Sequence, residues 1–558
     1  MTVKHVFIVI IFLFISCASE KYDLIIRNGT IIDGTGSKGY KADIGVYDGK
    51  IMAIKEKINR PAKNEINAGG QIVCPGFIDI LSWASGPILY DGEVPSVVCQ
   101  GITTAIFGEG WSMGPINDNV RKEMAGFWKE YNISYSWNTL AEYLAFVEQS
   151  GTSVNIASFV GATTVRMYVI GSEDRQANKK EMQKMKDLVR REMESGALGL
   201  ASSLVYTPAF YANTNELIEL SKVAAAYDGI YISHIRGEGE DLPNAIKELI
   251  TISETAQIPA EIYHLKAAGK KNWHLLDKAI TMINDAHRRG LDITADIYPY
   301  TAGATGLRAM MPPWSKEGGD AALVERLKKE PIRKQIREEI LTSTSGWENF
   351  YQMAGGGSGI LVSYLSEKNK ELQGLSIAEI ARIKNKDEIS IIFDLLIEEG
   401  GFGGGIYFLM SEDNVRKKMQ LPWVSFCTDE DAYRPTGLMS QRNPHPRAYG
   451  TFPRILGKYV RDERILFVQE AIRKMTSLPA ARLGLIDRGL LKKGMAADIV
   501  VFSLNNVIDK ATYTEPHQYP EGINYVIVNG TIVVNDGEHT GAKPGRALFR
   551  NGSRQARQ

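Results

Sequence analysis

Five short apolar runs of the chain end in side chains that can hold a metal or move a proton. They end at Gly108-Glu109-Gly110, Ser233-His234-Ile235-Arg236, Tyr263-His264-Leu265-Lys266, Tyr298-Pro299-Tyr300 and Thr428-Asp429-Glu430-Asp431. Two neutral imidazoles and a carboxylate form a zinc site with one position left for water, and Glu109, His234 and His264 supply that set. A metal there would lower the pKa of bound water from ~15.7 toward ~7, giving a nucleophile at neutral pH. Asp429 is then the natural proton carrier, a base toward the water and an acid toward a leaving amine. These ligands are scattered along the chain, so the pattern rests on their shared place at strand ends rather than on a local motif. One histidine in such a place reads as a hydrogen-bonded rim residue. Two of them, beside strand-end carboxylates, favour a metal.

Such residues need a scaffold that brings distant strand ends together. Nine apolar runs read as strands: Thr103–Phe107, Asn155–Phe159, Ala197–Ser202, Ile230–His234, Glu261–Leu265, Ile293–Ile297, Ile360–Tyr364, Ile406–Leu409 and Val424–Cys427. Helical patterns at Asn178–Glu194, Asn215–Tyr227, Asp241–Glu254, Trp273–Arg289 and Val415–Met419 fall among them. About eight alternating units predict an α/β fold, a (β/α)8 barrel of the TIM type, whose active face lies at the strand C-termini. Residues 305–359 break the alternation and read as an insertion. Both chain ends are instead rich in short strands, with the turn dipeptides Asn28-Gly29, Asp48-Gly49 and Asn529-Gly530. They predict a small β-sandwich domain built from both termini, 22–74 plus 488–546, with the barrel at 75–487.

The 558 residues carry 65 basic and 65 acidic side chains, so no electrostatic footprint for nucleic acid or an anionic surface is present. Four scattered cysteines, Cys17, Cys74, Cys99 and Cys427, exclude a disulfide scaffold. The glycine runs at 355–359 and 400–405 lack a following Lys-Ser/Thr and read as loops. Residues 1–16 hold a basic start and the apolar run Val6 to Ile15, too short to span a bilayer and suited to a secretory signal. Cys17 follows directly, as in a bacterial lipoprotein signal, where it becomes the lipidated N-terminus. The expectation is an exported protein, periplasmic or membrane-anchored through Cys17, with plain secretion as the alternative.

Longer motifs carry a family resemblance. Leu24-Ile-Ile-Arg-Asn-Gly-Thr30, Asp33-Gly-Thr-Gly36, Val73-Cys-Pro-Gly-Phe-Ile-Asp79 and Lys493-Gly-Met-Ala-Ala-Asp-Ile-Val-Val501 resemble the amidohydrolase superfamily. Gln100-Gly-Ile-Thr-Thr104, His234-Ile-Arg236, His264-Leu-Lys266, Asp296-Ile-Tyr-Pro-Tyr300 and His445-Pro-Arg-Ala-Tyr-Gly-Thr-Phe-Pro-Arg454 resemble the N-acyl-D-amino-acid deacylases (D-aminoacylases) within it. The resemblance implies zinc-dependent hydrolysis of the acyl amide of a small N-acyl-D-amino acid. It matches His234 and His264 to zinc ligands, Asp429 to the catalytic carboxylate, and Lys266, Tyr298 and Arg447 to residues holding the substrate's α-carboxylate. Arg236 is carried as a further substrate contact. Charge-assisted bonds suit such an anion clamp.

Two positions depart from the family. Its His-x-His pair after Pro-Gly-Phe-Ile-Asp is replaced here by Ile80-Leu81-Ser82-Trp83, and its metal-bridging Cys by Glu109. One tight zinc is therefore expected rather than two. A related cyclic-amide or ester hydrolase, or a catalytically silent binding protein, stand as the alternative readings.

Overall fold

The computed structural model describes residues 21–125, 133 and 135–550; residues 1–16 and Cys17 lie outside these. Between residues 77 and 426 the strands that pair in parallel are buried along almost their whole length. Parallel strands need this when helices cover one side and packed side chains fill the other. Phe77–Asp79, Ile102–Phe107 and Asn155–Ser158 pair in parallel. Val160–Gly161, Gly199–Ser203, Ile230–His234, Ala260–Ile262, Ile293–Ile297 and Val424–Phe426 continue the parallel order. Phe159 merely interrupts the third strand, so these segments form an eight-stranded barrel. Its seam is sewn by loops: Asp429 N–H donates to Leu81 O (2.9 Å), Trp83 N–H to Glu430 O (2.9 Å) and Thr428 N–H to Asp79 Oδ1 (2.8 Å).

The outer helices follow their apolar stripes. Leu242–Ala256 buries Leu242, Ala245, Ile246, Leu249, Ile250 and Ser253, the i, i+3, i+4, i+7 face of one helix. Lys179–Glu194 starts on a capping box between Asn178 and Glu181.

Two expected barrel strands belong elsewhere. Ile360–Tyr364 and Gly404–Phe408 pair antiparallel with each other, and Gly404–Phe408 also pairs with Ala302–Gly306. The insertion therefore runs from about 302 to 408, not 305 to 359. Short apolar runs carry no mark of parallel or antiparallel pairing, which is why the alternation misled. The insertion packs its own apolar residues, among them Leu323, Ile336, Ile377, Ile392 and Phe393, against the inner barrel residues.

The two termini share one nine-stranded sheet. Ile72–Pro75 pairs antiparallel with Ile499–Phe502, joining strands more than 420 residues apart. Along that strand Ile499 and Val501 enter the sheet's own core, while Val500 and Phe502 pack toward the barrel, the period of two expected of a sheet with both faces covered. Asp48-Gly49 and Asn529-Gly530 form two-residue hairpin turns with both residues at positive φ (48° and 69°; 48° and 81°). Asn28-Gly29 does not turn the chain. It sits inside Tyr22–Ile31 at a register shift, where Gly29 leaves no room for a Cβ beside Val73.

Candidate metal centre

Glu109 stands two residues past Ile102–Phe107, between glycines that both take positive φ. A Cβ on Gly108 would fall 2.6 Å from Phe159 O, so the chain approaches its neighbour strand closely and aims Glu109 into the barrel mouth. His234 closes its strand, in register with Ser203. His264 lies two residues past Ala260–Ile262, with φ 35°, and its N–H donates to Asp296 Oδ1 at 2.7 Å. Asp429 also holds a left-handed backbone, φ 52°. Such conformations cost roughly 1–3 kcal/mol at a non-glycine residue and gather at functional sites.

The three candidate ligands meet on one oxygen. Glu109 Oε1 is 2.9 Å from His234 Nδ1 and 3.1 Å from His264 Nε2. They are the one such His/Cys/Asp/Glu ligand group among the described residues, and all three are buried. Behind them stands Glu238, which the sequence reading passed over. Its Oε1 lies 3.3 Å from His264 Nδ1, and its Oε2 lies 3.7 Å from His234 Nε2, a buried nitrogen with no hydrogen-bond partner. An outer carboxylate that orients a ligand imidazole, as Glu238 does for His264, is what a metal centre needs.

The electrostatics fit a cation. Burial would raise Glu109, but hydrogen bonds from both histidines hold it down to about 2. Glu238 is lowered as well, since Lys266 and the histidines outweigh its burial. Burial and Lys266 pull His264 down, yet Asp429, Glu109 and Glu238 bring it up to about 9. Carboxylates that hold a proton on a buried imidazole also favour a divalent cation in its place. Nitrogen and oxygen donors of this kind suit zinc.

These residues line a cavity of about 470 Å³, with Lys266, Tyr298, Asp429 and Arg447 on its wall and Thr305, Arg308 and Phe402 of the insertion over it. Lys266 Nζ is 2.6 Å from Glu238 Oε1 and 2.7 Å from His264 Nδ1. The Tyr298 ring centroid is 4.4 Å from the Arg447 guanidinium carbon and 5.7 Å from the Lys266 nitrogen. Arg447 donates to Asp429 Oδ2 at 2.7 Å and to Glu430 Oε2 at 3.1 Å. Burial raises the Asp429 carboxyl, with Arg447 and His264 opposing it. His445, kept neutral mainly by burial, accepts from the Arg447 N–H and bonds Ala302 O.

Arg236 does not belong to this cavity. Its guanidinium binds Glu248 on the next helix and the carbonyls of Phe210 and Ala212. The substrate contact expected of it is withdrawn, because past the strand end its side chain turns to the barrel exterior.

A family model described as the amidohydrolase family matches residues 374–534. The D-aminoacylase of Alcaligenes xylosoxydans xylosoxydans is 31% identical over 533 residues, covering 95% of this chain and 98% of that protein. The chain belongs to the N-acyl-D-amino-acid deacylase family. As a member of that deacylase family it is a hydrolase of linear amide bonds. A crystal structure of N-acyl-D-glutamate deacylase from Bordetella bronchiseptica, complexed with zinc and a phosphonate mimic of the tetrahedral intermediate, superposes with TM-score 0.79. It is 30% identical and covers 95% of this chain and 100% of that one. A D-aminoacylase structure described for its binuclear metal centre, with one-metal activation and second-metal attenuation, is 30% identical with TM-score 0.77 and the same coverage of both chains.

Proposed function

We propose that this deacylase hydrolyses the acyl amide of N-acyl-D-amino acids at one zinc held by Glu109, His234 and His264. The observation that carries the reading is the meeting of both imidazoles on Glu109 Oε1, in the same cavity as Asp429. Zinc, when bound, supplies a Lewis acid for the acyl carbonyl and lowers the pKa of water. Asp429 takes the proton from the attacking water and delivers it to the amide nitrogen as the C–N bond breaks. Its burial raises its pKa and so keeps it able to carry that proton. Arg447, Tyr298 and Lys266 face the α-carboxylate, and Arg447 exchanges part of its hold on Asp429 and Glu430 for the substrate anion.

The test joins stereochemistry to two variants. Purified enzyme should release carboxylate from N-acyl-D-amino acids and not from their L-enantiomers. Asp429→Asn should retain zinc and lose ~10²–10⁴-fold or more in kcat, since an amide cannot return the proton. His234→Ala should lose zinc and activity together. An Asp429→Asn enzyme within a few-fold of wild type at full zinc occupancy would sink the assignment.

A further inference from the structure

Trp83 closes the Ile80-Leu81-Ser82-Trp83 stretch that replaces the family's His-x-His pair, and the main chain there is held on both sides. Ser82 N–H donates to Ile106 O and Trp83 N–H to Glu430 O, both at 2.9 Å. From that frame Trp83 Nε1–H reaches Glu109 Oε2 at 2.9 Å and Asp429 Oδ1 at 3.3 Å. One N–H is shared by the candidate metal-ligand carboxylate and the candidate proton carrier.

We propose that Trp83 is a positioning residue that takes the place of a second cation: its indole N–H bridges Glu109 and Asp429 and keeps the centre mononuclear. The inference rests on the zinc reading above and deepens it. A carboxylate that bridges two metals gives one oxygen to each. Glu109 gives Oε1 to the two histidines and their metal, and its Oε2 is capped by the indole. Asp429 is likewise committed, Oδ2 to Arg447 and Oδ1 to Trp83. An indole nitrogen is a donor only, so it can neither coordinate a metal nor give up its place to one by losing a proton. It leaves the carboxylates oriented as a second cation would, without that cation's charge. The enzyme then has no site through which extra metal can attenuate it.

The decisive measurement is zinc per chain by elemental analysis, after equilibration with excess zinc and removal of the free ion. Wild type should hold one zinc, and its rate should stay flat as free zinc rises. Trp83→Phe should still hold one zinc but lose about tenfold in kcat with KM little changed, because Asp429 loses its fixed donor. Trp83→His, which offers a nitrogen ligand at the same place, should take up a second, weaker zinc and become sensitive to excess metal. A wild type with two zinc ions overturns the role of Trp83 and leaves the deacylase reading standing. So does Trp83→His remaining at one zinc together with Trp83→Phe at wild-type kcat. A wild type that binds no zinc overturns the metal assignment itself, and this inference with it.

Discussion

Arg447 donates to two carboxylates at once, and its side chain is 3% exposed against 10% for each partner. The family resemblance assigns it one task, gripping the substrate anion, and on that view Arg447→Ala should mainly raise KM, with a smaller fall in kcat. The ion triad changes the expectation. Taking one partner from a buried pair typically costs about 3–5 kcal/mol, because the charge left behind has neither water nor a mate. Arg447→Ala should therefore lower thermal stability, raise KM and lower kcat together, with Asp429 left more easily protonated. A variant with wild-type melting and unchanged kcat would show that the triad does not hold Asp429. At this scale the strand-end residues Glu109, His234, His264, Tyr298 and Asp429 were legible as a group and line one cavity, while Arg447, carried by the family motif, reaches it from the start of the helix Arg447–Arg454. Glu238 and Trp83 were not, because each lies in a loop whose direction is set by partners distant in sequence. Arg236 was misread for the same reason: Glu248 on the following helix drew it outward.

Glu348 fastens one element to another. It sits on the insertion and accepts N–H bonds from Glu238 (2.6 Å) and Gly239 (3.1 Å), in the loop that leaves the His234 strand. Burial, helped by the charge of Glu238, pushes its carboxyl up to about 7 against those bonds. The unfolded chain holds a glutamate near its ordinary value of about 4.3, so the folded state binds the extra proton between these limits. That stabilisation is complete below the unfolded value and is lost as pH rises through about 7. Glu348→Gln removes the titration and keeps an acceptor oxygen. Its melting temperature relative to wild type should climb by a few degrees from pH 5 to pH 7.5. A gap independent of pH would count against the buried acid. The alternation of helices with short strands was plain in the sequence, because the helices repeat their own period and strands buried on both sides read as continuous apolar runs. The antiparallel insertion was not, since its runs at 360–364 and 404–408 look like barrel strands until their partner at 302–306 is known.

At the scale of the molecule, the reading of Cys17 as a lipid acceptor gives a short tether. Cys17 is five residues from Tyr22, where the terminal sheet begins, a reach of at most ~18 Å when fully extended. No helix among the described residues is long and apolar enough to cross a membrane. Full-length chain made in a bacterial host should sediment with membranes, since a multiply acylated cysteine holds where one acyl chain binds only marginally. Cys17→Ser should move it to the soluble fraction, and an unchanged distribution would refute the lipoprotein reading. The joining of Ile72–Pro75 to Ile499–Phe502 has a further consequence, in time rather than space. The early strands pair with one another, but the edge of Ile72–Pro75 finds its partner, Ile499–Phe502, only near the end of the chain, so the nine-stranded sheet stays incomplete until that segment has been made. Loop-closure entropy makes such distant pairings slow, and until then the early strands present open edges. A holdase that covers those edges would raise the yield of folded enzyme more than one acting on the barrel, most of whose strands pair with near neighbours in sequence.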